Sequence, residues 1–379
     1  MEVARIELAA VGDVLMHQDV KASAAQAPGG LGDLWSEVTP RFRRADIAFA
    51  NLETPVAPRT GRPGRPFQFN APEDLPAALR ASGIGVVAVA NNHAFDQGPR
   101  GLTETLARLG AAGLVAVGAG ATRAEAETPR FVEAKGLKVA FLAFTDIFNV
   151  DLNTRADRPW VRGIDPPAAA AAVRAARAQA DAVVVSVHWG AEYLHAPLER
   201  QKRLAKALAD AGADVILGHH PHVLQPVDVL ASGDRRTVVA YSLGNFISNQ
   251  DRMYRADLFP VAGGDSRDGA LFSCRLVKLR YLDGTERVQV EEARCEPLWT
   301  LNNWREAAGR KTPRLIRVVP ATQRLLEAEA EVERLRAAVP PDRAALLAQQ
   351  ETVRTLMLRR ARAEAILGAP FVTQGAPRP

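Results

Sequence analysis

Val215-Ile216-Leu217-Gly218-His219-His220-Pro221-His222 (VILGHHPH) runs from a short apolar segment straight into three histidines. The first half has the compact, β-branched character of a buried strand. The second half puts His220 and His222 on one face of an extended segment, where both imidazoles can meet a metal ion. Working outward, the same succession recurs. Val183–Val187 leads into His188-Trp189-Gly190-Ala191-Glu192-Tyr193, and Val86–Ala90 into Asn91-Asn92-His93-Ala94-Phe95-Asp96. The segment ADIAF (45–49) leads into Ala50-Asn51-Leu52-Glu53, and Ile6–Val11 into Gly12-Asp13-Val14-Leu15-Met16-His17. Six of the seven histidines fall in these stretches, only His195 standing outside, and random scatter would not place them so. Ligands of open α/β sheets bind outside the carboxyl ends of the strands, so these clusters are expected to converge.

Between the strands lie Ala- and Arg-rich helical patterns at Pro72–Ala81, Gly101–Ala112, Ala168–Ala180 and Glu199–Ala211. Further strands are expected at Leu114–Val117, Lys138–Thr145 and Arg236–Ser242. Strands alternating with helices indicate a layered α/β fold. After Asp268 the style changes: Ala270–Leu282 and Glu286–Glu292 flank Asp283-Gly284, the signature of a β-hairpin turn. Residues 296–320 read as a connector. The Leu-, Ala-, Glu- and Arg-rich stretch 321–379 reads as a helical hairpin and tail, divided by Pro340-Pro341. The expected organisation is thus a catalytic-type domain over 1–295 with a C-terminal helical extension.

Each cluster has its own chemistry. Asp13 ends a strand, Gly12 permits close backbone approach, and a carboxylate with His17 four residues on can hold a hard or borderline cation. Asp13 is equally suited to cap a helix. Asn51 and Glu53, two apart, point the same way if the strand continues, which makes Glu53 a candidate bridging carboxylate. Asn91, Asn92, His93 and Asp96 directly follow a buried strand and need hydrogen-bond partners or a metal; a polar turn capping the next helix would also use them. His188, His220 and His222 form the core of a metal-ligand set. Trp189, Glu192, Tyr193, His219, Ser242 and Asn245 are candidates for binding substrate or orienting ligands. Ser242 lacks a nucleophile elbow. Gly118-Ala119-Gly120 lacks the third glycine of a dinucleotide fingerprint and reads as a tight turn.

The bulk composition narrows the field. The chain has 379 residues, 47% apolar and 24% charged, with a formal charge of +5. No basic run with interleaved aromatics is present, so nucleic acid is not indicated. Cys274 and Cys295 are the only cysteines; they cannot build a thiolate zinc site and read as buried free thiols. No apolar run reaches membrane-spanning length, and the first residues lack the pattern of a signal peptide, so a cytoplasmic location is expected of the sequence as written.

Read in order, GDVLMH, FANLETP, NNHAFDQG, HWGAEY, GHHPHVLQ and YSLGNFISNQ, spanning residues 12–250, resemble the CapA or poly-γ-glutamate capsule-synthesis family. The resemblance implies a metallo-dependent phosphatase-like sandwich and a role in capsule polymer synthesis, often at the cell envelope. It implies one or two divalent ions, with Asp13 and His17 holding one, Glu53 in the bridging place, and Asn92, His188, His220 and His222 completing the spheres. It makes His93 the proton donor, beside Asp96, and His219 a neighbour. Two departures stand out: the family's Asp-x-His is stretched to Asp13-x-x-x-His17, and its bridging Asp is replaced by Glu53. His and carboxylate ligands suit Mn, Fe or Zn. The expected activity is a metal-dependent hydrolase or transferase on an anionic polymer or ester, with Arg59, Arg62 and Arg65 near the mouth or simply solvated. The alternatives are a non-catalytic polymer-binding protein and an assembly protein using its C-terminal helices to bind a partner or a second copy.

Overall fold

Short apolar runs become strands whose polar ends gather on one side of two sheets. The computed structural model describes residues 1–259, 263–307, 313–340 and 342–373. The chain begins β1 (Glu2–Val14), α1 (Gln18–Gln26), α2 (Thr39–Arg44), β2 (Ile47–Leu52), α3 (Leu75–Ser82), β3 (Val86–Ala88), α4 (Gly98–Ala111) and β4 (Val115–Val117). It continues through β5 (Ala119–Gly120), α5 (Arg123–Glu127), β6 (Arg130–Ala134), β7 (Leu137–Thr145) and β8 (Trp160–Val161). Next come α6 (Pro166–Arg177), β9 (Ala182–His188), α7 (Glu199–Asp210) and β10 (Val215–His219). The remainder is β11 (Val227–Ser232), β12 (Arg235–Ala240), β13 (Asn245–Ile247), β14 (Asp268–Arg280), β15 (Glu286–Asn302), α8 (Trp304–Ala307), β16 (Ile316–Pro320), α9 (Ala321–Ala337) and α10 (Arg343–Leu367).

One sheet has the order β16-β15-β14-β1-β2-β3-β4, with β13 also pairing β1; the other has β11-β12-β10-β9-β7-β6. Their inner faces meet in a shared core, where Phe49 stacks on Phe141 with ring centroids 6.3 Å apart. The outer face of the second sheet packs Val183, Val185 and Val187 against α6 and α7. The outer face of the first is covered by Trp35, Phe42, Leu75 and Leu79. Both β2 and β9 are therefore buried along their whole length, as strands covered on two faces must be. The result is a helix–sheet–sheet–helix sandwich, the layered α/β architecture expected from the alternation.

Register decides what converges. The parallel pairings align Asp13 with Asn51 and with Asn245, and Thr145 with His188 and His188 with His219. Two glycines make room for this. A Cβ on Gly12 would stand 1.8 Å from the Gly244 carbonyl oxygen, and one on Gly218 would stand 1.9 Å from the Tyr241 carbonyl oxygen. Cys274 and Cys295 are free and buried, as expected.

Several elements differ from expectation. The stretch read as a connector, 296–320, carries the end of β15 and all of β16, which adds a strand to the sheet edge. Arg294, Glu296 and Pro297 conceal the continuation of β15 beyond Glu292, although the strand is buried from Cys295 to Thr300. The expected tight turn narrows to Gly118, at a φ of 83°, because Ala119 and Gly120 form the two-residue strand β5 ahead of α5. Of the two prolines expected to divide the tail, Pro340 lies in the turn between α9 and α10, and Pro341 lies outside the described residues, as do residues 374–379.

The helical pair docks through both oil and charge. Leu325 and Leu356 join Tyr254, Trp299 and Val319 in a small apolar cluster. Arg359, 1% exposed, donates from Nε to Asp268 at 3.1 Å and from Nη2 to Asp265 at 2.5 Å. Asp265 also receives His195 Nε2 at 2.8 Å, while His195 Nδ1 reaches the Leu224 carbonyl at 2.8 Å. With an acceptor at each nitrogen, the imidazole is favoured as the cation, and its bond to Asp265 raises its pKa above the usual value.

Two outcomes follow. Gly12→Ala is expected to cost more than about 2 kcal/mol, since a methyl group must displace backbone rather than a flexible side chain; chemical denaturation measures this. The elevated His195 pKa contributes stability that is complete below the unfolded value, near pH 6.5, and is lost as pH rises through the folded value. The melting-temperature gap between the native chain and His195→Gln is therefore expected to be widest on the acid side of that value and to narrow as pH rises.

Candidate metal centre

Asp13, at the carboxyl end of β1, is fully buried. Its Oδ1 accepts from Asn51 Nδ2 at 2.8 Å and lies 3.4 Å from His219 Nδ1; its Oδ2 lies 3.1 Å from His222 Nδ1. Burial alone would raise this carboxyl, but the bonds from His219 and His222 and their charge hold it well below the usual carboxylate range.

Glu53, just beyond β2, has the opposite environment. It is fully buried, and neither carboxylate oxygen has a hydrogen-bond partner among the described residues. Instead Oε1 faces three imidazole nitrogens: His188 Nε2 at 3.6 Å, His222 Nε2 at 3.7 Å and His93 Nε2 at 4.0 Å. Burial, followed by the negative charge of Asp13, pushes its pKa well above the normal range. Burial likewise lowers His188 and takes His220 down to about 4, with neighbouring imidazoles adding to the effect. Neutral imidazoles beside buried carboxylates are the donor set of a divalent-metal site.

The geometry agrees with that chemistry. Three groups place one ligand atom from each member within 4.8 Å of one another: Glu53 with His188 and His220, Asp13 with Glu53 and His222, and Glu192 with His220 and His222. Asn92 Oδ1 lies 2.9 Å from His188 Nε2, the separation expected of two ligands on one ion. His220 and His222 adopt positive φ angles of 96° and 57°, unusual for non-glycine residues. Strain of this sort is retained where it aims a side chain at a site.

The neighbours divide by what they touch. His93 Nδ1 meets Asp96 Oδ2 at 2.8 Å, and that oxygen also accepts from the Phe69 amide at 2.6 Å, so Asp96 fixes the ring. Asn91 holds the Leu52 carbonyl at 2.9 Å and Asn245 Oδ1 meets His222 Nδ1 at 3.1 Å. Ser242 donates to the Val223 carbonyl and Trp189 to that of Tyr241; both are buried and shape backbone rather than face the cluster. Tyr193, half exposed, lines the entrance with His17, Lys21, Arg65, Phe67 and Arg252, around a cavity of about 450 Å³. His17 stands apart from all three ligand groups: its Nδ1 accepts from the Asn249 amide at 3.3 Å and burial lowers its pKa to about 4. Of the loop arginines, Arg65 reaches the entrance, while Arg59 pairs with Glu104 at 3.6 Å.

One participant went unread. Asn149 accepts from Asn92 Nδ2 at 3.1 Å and lies 3.4 Å from His93 Nδ1. Its signal was its position, four residues past β7, another strand whose carboxyl end reaches the site.

The chain is thus a two-sheet α/β sandwich that gathers Asp, Asn, Glu and His at its strand ends, a donor set suited to a divalent ion. Comparison with known proteins specifies it further: the profile of the bacterial capsule synthesis protein family PGA_cap matches residues 7–250, and the chain belongs to that family. It is 34% identical over 283 residues to the PGA biosynthesis protein CapA of Bacillus subtilis (strain 168), covering 74% of this chain and 69% of that one. It is also 34% identical over 254 residues to the capsule biosynthesis protein CapA of Bacillus anthracis, covering 65% and 60% respectively. Among solved structures, a 5'-nucleotidase precursor from Thermus thermophilus superposes with a TM-score of 0.45 at 16% identity, over 76% of this chain and 54% of that one.

Elemental analysis of protein loaded with Mn²⁺ is expected to find bound metal, with Glu53→Gln and His222→Gln losing it and His17→Gln retaining it. Equal loss in His17→Gln would return His17 to the ligand set.

Proposed function

We propose that this chain is a divalent-metal-dependent hydrolase or transferase acting on the anionic polymer, or on an ester intermediate, of capsule-type synthesis. One observation carries the reading: Glu53 is wholly buried, both of its oxygens lack a hydrogen-bond donor among the described residues, and three histidine nitrogens surround one of them. A buried carboxylate without partners is costly, and a cation is the partner this donor set fits. Glu53 belongs to two of the three ligand groups, which supports a bridging place for it. Asp13, Asn92, His188, His220, His222 and Glu192 are the other candidate ligands.

A bound divalent ion supplies Lewis acidity toward the scissile group and acidifies water at neutral pH. The chain's own groups do the rest. His93, 4.0 Å from Glu53 through Nε2 and anchored by Asp96 through Nδ1, is placed to deliver a proton to a leaving oxygen or nitrogen. Lys21, Arg65 and Arg252 line the entrance together with Asp19, Glu192 and Asp251, so its formal charges balance and it offers polymer carboxylates individual cations, Lys21 and Arg65 foremost, rather than a positive field. The names of the Bacillus relatives, which concern PGA and capsule biosynthesis, support the same substrate class.

Metal-loaded protein is to be assayed on p-nitrophenyl phosphate, its bis-ester and poly-γ-glutamate. Turnover of at least one is expected; polymer binding without any turnover would establish a binding protein instead. His93→Gln is expected to lower turnover by about a hundredfold for substrates with poor leaving groups, and far less for p-nitrophenyl esters, whose leaving group needs no proton.

A further inference from the structure

A second cavity, of about 720 Å³, lies between α10 and the end of β15. Arg267 lines it and is only 7% exposed. Its Nε donates to the Thr300 carbonyl at 2.8 Å, and its guanidinium lies 4.4 Å from the ring centroid of Trp299 and 5.9 Å from that of Tyr254. Among the described residues its two terminal nitrogens have no hydrogen bond, and no carboxylate lies within ion-pairing distance. Nearby acids are engaged elsewhere: Asp268 with Arg359, Asp257 with Arg255, and Asp251 with the Ser266 amide. Glu351 stands on the exposed rim. A buried guanidinium without an anion is costly, and Arg267, beside two rings that meet edge to face, keeps its terminal donors for a carboxylate.

The cavity adjoins the metal centre. Asn302, in its wall, donates to Asn249 at 2.8 Å, and Asn249 lines the entrance and bonds His17. Arg252 of the same entrance lies over Trp304, 4.5 Å from the ring centroid, on the path between them. A ligand that fills both openings must be extended and carry carboxylates at intervals.

We propose that Arg267 and this cavity form a distal subsite that binds a carboxylate of an extended polyanion whose other end enters the metal centre. The identity of that polyanion rests on the function proposed above; the Arg267 pocket itself does not. The test is calorimetric titration of the full-length metal-loaded protein with a short γ-linked glutamate oligomer, alongside inorganic phosphate. Arg267→Gln removes the cation, while Thr355→Trp fills the cavity from α10 and leaves Arg267 in place. Each is expected to weaken oligomer binding about tenfold or more, the usual scale of a charge-assisted bidentate contact, with phosphate failing to compete. The subsite is overturned if the native chain does not bind the oligomer, if folded variants bind it as the native chain does, or if phosphate occupies the pocket in its place. Should Arg267→Gln not fold, Thr355→Trp decides. Turnover of any of the three assay substrates by the native protein reports the metal centre separately. Its absence alongside Arg267-dependent binding would refute the catalytic reading alone; its presence alongside indifferent variants would refute the subsite alone.

Discussion

Two carboxylates buried side by side set the terms for this molecule. Asp13 and Glu53 are both inaccessible to solvent, and like charges in a dry interior cannot both persist without compensation. Asp13 is compensated by Asn51, His219 and His222 and stays ionised. Glu53, without a donor among the described residues and facing the field of Asp13, is driven toward the neutral form as long as only protein surrounds it. The strand ends that deliver histidines to this point make sense as the scaffold for a cation that would relieve the conflict.

That scaffold makes demands elsewhere. It requires side-chain-free passage at Gly12 and Gly218, where neighbouring carbonyls lie against the backbone. It also requires left-handed conformations at His220 and His222, which the surrounding sheet must hold in place. The turn between those histidines is secured from outside by Asn245, which donates to the Ser266 carbonyl at 2.8 Å and meets His222 at 3.1 Å. Ser266 sits between Asp265 and the segment leading to Asp268, so one backbone stretch ties the site to the salt-bridge network of the helical pair.

Much of the centre was legible because burial and polarity change abruptly at strand ends. An apolar run such as Val183–Val187 followed by His188 leaves few interpretations, and the pattern located Asp13, Glu53, Asn92 and the histidines of the cluster. Residues whose role depends on partners far away were less legible. His17 carries the same sequence signal as His93, yet its ring turns to Asn249 and Phe69, a matter of register that spacing does not encode. Asn149 lies in a loop with no periodicity to mark it. In the fold, the end of β15 and the edge strand β16 were missed because Glu296, Pro297, Arg317 and Pro320 interrupt their apolar runs, so they imitate connectors. The Arg267 cavity was unreadable for a related reason: its arginine, its aromatic rings and the helix that closes it come from separate parts of the chain.

Arg359 has a mechanical consequence. Helix α10 has 25 residues, so it is a rod of about 37 Å, pinned near its C-terminal third by a buried ion pair. Its longer, N-terminal part packs along α9 and meets the sheet through Leu356, so the hairpin and its anchor form one continuous lever. Any neighbour that grips the turn between α9 and α10 gains leverage on Asp265 and Asp268, and through the adjoining Ser266 carbonyl on the asparagine that steadies His222.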